Sequence, residues 1–116
     1  MITEEIYIPK LKLNIKFYIG KNAQENFTII DLADGKDMWF HLNDYPSCHV
    51  IGIISNLSLD KKELKYIITQ GALLCKKYSK YKSEPNINVV YTTINNVKKT
   101  EIIGTVNLSN TKLIIV

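Results

Sequence analysis

Apolar and polar positions alternate with period two from Leu11 to Ile19: Leu11, Leu13, Ile15, Phe17 and Ile19 fall on one side, Lys12, Asn14, Lys16 and Tyr18 on the other. Successive side chains of a strand point to opposite faces, so this is a half-buried strand, closed by Gly20. Asn22 with Glu25 three residues on resembles a capping box, and Ala23, Phe27 and Ile30 have helical spacing, which predicts a short helix over about 22–33. Asp34-Gly35-Lys36 turns the chain into a second strand, where Met38, Phe40 and Leu42 point one way and Asp37, Trp39 and His41 the other. Asp44-Tyr45-Pro46-Ser47 is a turn, and the nearly continuous apolar run from His49 to Ile54 predicts a strand covered on both faces. The two strands form a hairpin that places His41 and His49 on neighbours, with the register open.

Asp60 and Glu63 open a longer helix, running to about Lys80. Leu64, Ile67, Ile68, Leu74, Cys75 and Tyr78 share its apolar arc, and Gly71 at the centre of that arc implies close packing on a sheet. Lys62, Lys65, Lys76 and Lys80 form a stripe opposite, with Lys77 beside it. After the linker Ser83-Glu84-Pro85 comes a strand over Ile87–Thr93 and a basic loop at Lys98-Lys99; Ile102–Leu108 and Lys112–Val116 read as a hairpin about Ser109-Asn110-Thr111. The expected fold is α+β, a mostly antiparallel sheet with two helices packed on it, in the order β-α-β-β-α-β-β-β.

A chain of 116 residues makes one domain, 1–116, with a core of its own. No apolar run is long enough for a membrane span, and the acidic N-terminus lacks a signal-peptide pattern. Two cysteines without a CxxC fit a reducing, cytoplasmic setting. All fifteen cationic side chains are Lys; residues 1–60 carry five against eight acids, residues 61–116 ten against three. That asymmetry favours a polyanionic partner, although Lys, Ile, Asn and Tyr richness also reflects an AT-rich genome, cellular or viral.

The only Trp and both His lie in Asp37–His49. Metal binding by Asp37, His41 and His49 has no HxH, HExxH or CxxC spacing behind it. Cys48 beside His49 is a poor nucleophile pair, because strand neighbours point apart. Core packing or recognition remains, with Trp39 as a stacking platform and His41 as a polar contact. Lys21-Asn22 at a helix start suits phosphate or an ordinary N-cap.

Taken together, Gly20-Lys21-Asn22-Ala23 with Asn26, Asp37-Met38-Trp39-Phe40-His41 with Pro46-Ser47-Cys48-His49-Val50, the helix ending at Ser79-Lys80, and Val97-Lys98-Lys99 with Gly104-Thr105-Val106 resemble the NFACT-R domain of ribosome-quality-control factors. Lys21 stands where that family usually has Arg, which loses a bidentate phosphate fork, and Phe27 where Asp is usual. The resemblance implies a stand-alone, non-enzymatic RNA-binding module for tRNA or rRNA, with the ribosome as a partner and without metal or other cofactor. It implies RNA contacts at Lys21, Asn22, Asn26, Asp37, Trp39, His41, His49, Lys76, Lys77, Lys80, Lys98 and Lys99. Competing readings are a metal-assisted nuclease or hydrolase using Asp37, His41 and His49, and a module that docks on a ribosome-associated protein. The C-terminal strand offers an edge for pairing in a homodimer.

Overall fold

The computed structural model describes residues 1–116. Ten elements follow in chain order: β1 (Ile2–Ile8), β2 (Leu13–Ile19), α1 (Ala23–Asp31), β3 (Met38–Leu42), β4 (Val50–Gly52), α2 (Lys61–Lys77), β5 (Asn88–Thr93), β6 (Val97–Lys99), β7 (Val106–Leu108) and β8 (Lys112–Ile115). A single 3-10 turn, Ile94–Asn96, joins β5 to β6. The expected α+β class holds, with six strands in one antiparallel sheet ordered β1-β2-β4-β3-β5-β8, and β6 with β7 as a separate hairpin.

Two strands escape the sequence reading. β1 pairs along its whole length with β2, Ile2 opposite Ile19 and Ile8 opposite Leu13. Its core-facing positions are Ile2, Glu4, Ile6 and Ile8, so an acid interrupts the apolar row. Glu4 lies near the end of α2, where Lys77 makes an ion pair of 3.4 Å and the Tyr78 hydroxyl donates to the same carboxylate oxygen. The second is β6, which takes β7 as its partner, Val97 opposite Leu108. The expected pairing of residues 102–108 with 112–116 is therefore wrong. The Thr92 hydroxyl contacts the carbonyls of Ser109 and Asn110, Asn110 adopts a left-handed φ of 50°, and β8 then pairs with β5. β8 does occupy a sheet edge, with Leu113 and Ile115 exposed.

The helices sit on opposite faces of the sheet rather than together. α2 begins at a complete capping box: the Asp60 carboxylate accepts from Glu63 N–H and the Glu63 carboxylate from Asp60 N–H. Its Ile67, Ile68, Ala72, Leu74 and Cys75 pack with Phe17, Met38, Phe40, Leu42 and Val50 in a core of 16 buried residues. Each buried Ile or Leu there is worth about 1.5–3 kcal/mol. A Cβ on Gly71 would run into the Phe40 ring, which confirms the close approach read from its place in the apolar arc. On the other face α1 contributes Ile29 and Ile30 to a smaller core with Trp39, Ile51, Val90 and Ile94, closed by Val97, Val106 and Leu108 of the hairpin. Strand β3 is thus shared, with Phe40 in one core and Trp39 in the other.

Candidate nucleic-acid interface

Asp37 sits at the start of β3 and is 1% exposed. Its carboxylate accepts three backbone N–H groups, from Asp34, Ile54 and Ser55, each at 2.8 Å. That use explains an acid in a dry place, since charge-assisted bonds to backbone offset its desolvation. It joins the turn before β3 to the segment after β4.

The Trp39 indole N–H donates to His49 Nδ1 at 3.2 Å. An imidazole that accepts at Nδ1 carries its proton at Nε2, and that side faces the Gly104 carbonyl in the β6–β7 hairpin. Burial and the neighbouring His41 together hold the His49 pKa down to about 3, the Gly104 backbone pulling the other way. His49 is therefore neutral. Its own backbone is held as firmly: His49 N–H donates to Asn26 Oδ1 at 3.1 Å, and Gly20 N–H to the His49 carbonyl at 3.1 Å. A Cβ on Gly20 would collide with the Asn26 amide oxygen. Gly104, at φ +85°, sits where a Cβ would come 2.7 Å from Ala23 Cβ at the start of α1. Gly20, Asn26, Trp39, His49 and Gly104 therefore form one knot that ties α1, the sheet and the hairpin together.

His41, two residues along β3, lies parallel to Trp39, ring centroids 5.8 Å apart and planes 4° apart, and edge-on to His49 at 5.2 Å. The two histidines share a face, which settles the register left open by the sequence. His41 Nδ1 lies 2.6 Å from the Leu42 carbonyl. A carbonyl only accepts, so the proton is on Nδ1 and Nε2 is a free acceptor. Burial lowers the His41 pKa, the Leu42 carbonyl opposing. His41 is only half-buried, and with Trp39 and His49 it lines a cleft of about 510 Å³ whose far wall is Gly104–Val106 and Leu108.

Trp39 is 1% exposed, so neither ring face is open and it does not act as a stacking platform here. Asn26, Asp37 and His49 are likewise buried, and of these His49 lines the cleft. Asp37, His41 and His49 do not gather into a metal-holding group. Cys48 packs with the α2 core, where its hydrogen bond with Cys75, together with burial, raises the pKa of the Cys75 thiol.

The basic residues divide between the two faces. Asn22 caps α1, its Oδ1 accepting from Glu25 N–H at 2.9 Å, while the Glu25 carboxylate reaches Lys21 N–H rather than the cap residue. Lys99 pairs with Asp31 at 2.5 Å and lies over the Phe27 ring at 5.0 Å, fastening β6 to α1. That contact also gives Phe27 a use where the family pattern has Asp. Lys76 donates to the Val116 carbonyl, and Lys77 is paired with Glu4. Lys21, Lys80 and Lys98 are exposed and enter none of the ion pairs. Lys76, Lys77 and Lys80 follow α2 on the Phe40 side of the sheet, across it from Trp39. The sequence reading missed Gly104, Asn43 and Thr111 as part of the site; Asn43 carried a signal, standing two positions after His41 on the same face, while no spacing links Gly104 or Thr111 to it.

Comparison with known proteins adds independent findings. The family model described as the NFACT protein RNA binding domain matches residues 7–110. Mouse coiled-coil domain-containing protein 25 is 36% identical over 89 residues, covering 72% of this chain and 40% of that protein. The Rqc2 homolog RqcH of Bacillus subtilis is 32% identical over 82 residues, covering 70% of this chain and 13% of that protein. The chain thus spans well under half the length of these relatives. The C-terminal part of a fibronectin/fibrinogen-binding protein from Streptococcus suis superposes with a TM-score of 0.80 at 23% identity, over 98% of this chain and 45% of that one, which shows a shared fold.

Proposed function

This chain belongs to the family of NFACT protein RNA-binding domains, and we propose that it binds tRNA or rRNA, without catalysis, through the face that carries the His41 cleft. The observation that supports this most is His41 itself. In the segment Asp37–His41 it is the one polar side chain left with a free hydrogen-bonding atom at an open cleft. Lys98 on the hairpin and Lys21 before α1 stand on the two elements joined by the Gly104–Ala23 contact, and both are free to meet phosphates. Asn22, Asn26, Asp37, Trp39, His49 and Lys99 hold these groups in place. Lys76, Lys77 and Lys80, across the sheet, are a separate basic stripe. RNA chemistry of this kind fits a role in translation or ribosome quality control.

The test is binding of labelled tRNA as salt rises from about 50 to 300 mM. Two phosphate contacts give a loss of roughly tenfold, and removing Lys21 or Lys98 lowers the logarithmic slope by about 0.7–0.9 each. His41→Ala weakens binding at constant slope. Affinity independent of salt would sink the proposal.

A second reading rests on Ile102 and Ile103, 69% and 55% exposed at the tip of the β6–β7 hairpin. Adjacent exposed aliphatics suit a protein contact. Recovery of one partner from nuclease-treated extract, lost on Ile102→Ser, would favour protein docking over RNA.

A further inference from the structure

We propose that the cleft over His41 is a pocket for one unstacked nucleobase bearing an exocyclic amine, the 4-amine of cytosine or the 6-amine of adenine. This rests on the RNA-binding reading and narrows it to a base class.

The argument begins with hydrogen-bond sense. His41 Nδ1 is committed as a donor to the Leu42 carbonyl, which leaves Nε2 as an acceptor at the cleft. Asn43, also in the lining, donates its Nδ2 to the Asp44 carboxylate at 3.1 Å. A carboxylate only accepts, so the amide is oriented, and Asn43 turns its oxygen away from Asp44. The polar end of the cleft therefore offers two acceptors set by their own internal bonds. An exocyclic amine carries two N–H donors for them. Uracil has a carbonyl at the corresponding position, and an acceptor facing acceptors leaves buried polar atoms unmatched.

The rest of the lining is mostly apolar and uncharged, with the Thr105 and Thr111 hydroxyls able to donate or accept. Val90, Val106 and Leu108 give apolar walls, and no Lys, Asp or Glu lines the cleft. Its volume of about 510 Å³ lies within the roughly 300–1,000 Å³ of small-ligand sites. Sequence-specific RNA recognition uses unstacked bases read along their edges, which an open, uncharged cleft accommodates.

Short oligo(rC) and oligo(rU) test the idea, because the two stack weakly alike and differ only along the Watson–Crick edge, amine and N3 acceptor in cytosine against carbonyl and N3–H in uracil. Their affinities for the full chain are measured at one salt concentration, alongside the tRNA salt series. The expected result is tighter binding of oligo(rC), by about fivefold for one net hydrogen bond. His41→Phe keeps an aromatic ring on Trp39 but removes the acceptor, and brings the ratio within about twofold. Asn43→Ala, at an exposed position where folding is not at stake, reduces the ratio in part. Equal affinities in a protein that still binds tRNA, or a preference that survives His41→Phe, overturn the pocket and leave the RNA-binding reading standing. No binding to tRNA or either oligomer removes both.

Discussion

At the scale of single residues, the chain's aromatic and imidazole cluster works by fixed proton positions. Each ring nitrogen in the Trp39–His49–Gly104 line has one assigned partner, and the geometry permits only neutral His49. Trp39→Phe deletes the donor and leaves His49 Nδ1 buried without a partner, in addition to lost volume. The expected cost is about 2–4 kcal/mol in urea unfolding; a loss under about 1 kcal/mol would mean that the bond carries little. The alternation of β3 was readable from the sequence. The donor–acceptor assignments were not, because they depend on which residue of β4 lies beside Trp39, and a one-residue slip would move His49 to the other face.

At the scale of elements, the caps were legible because they are local. Asn22 and Asp60 both accept from the residue three positions on, as their spacing implies. β1 was not, because Glu4 breaks the row of inward apolar residues, and its partners Lys77 and Tyr78 lie over 70 positions away. The pairing of β7 with β8 was misread for a related reason. Ser109-Asn110-Thr111 has turn composition, but Thr92, distant in sequence, directs the chain after it. The packing of α2 on β3 gives a prediction at this scale. Gly71→Ala gains about 1 kcal/mol of helix propensity but drives a methyl group into Phe40, at a cost of about 1–3 kcal/mol or more. The net expected change is destabilising, and a variant with a higher unfolding midpoint than the parent would show that α2 can shift away from the sheet.

At the scale of the whole molecule, two cores on one sheet share a single pH dependence. The folded-state pKa of His49 lies near 3, against 6.5 when unfolded. Between those values the unfolded chain binds a proton that the native one excludes. The stabilising contribution is whole above pH 6.5 and declines as pH falls, by up to about 1.4 kcal/mol per unit. His41, also lowered by burial, adds in the same sense. Urea midpoints at pH 7 and pH 5 should fall together with pH, before most carboxylates begin to titrate; a flat profile would contradict the neutral, buried imidazole. The lowered carboxyls of Glu4 and Glu25 extend the decline below pH 4.5.

One consequence of the Trp39 environment is optical. The chain has a single indole, packed parallel to the imidazole that opens on the cleft and bonded to a second. Its emission is therefore a built-in reporter, free of any attached dye, on whatever enters above His41. Quenching or a spectral shift that saturates with added oligonucleotide would time the arrival of a ligand at that one point, while the seven tyrosines record the rest of the fold.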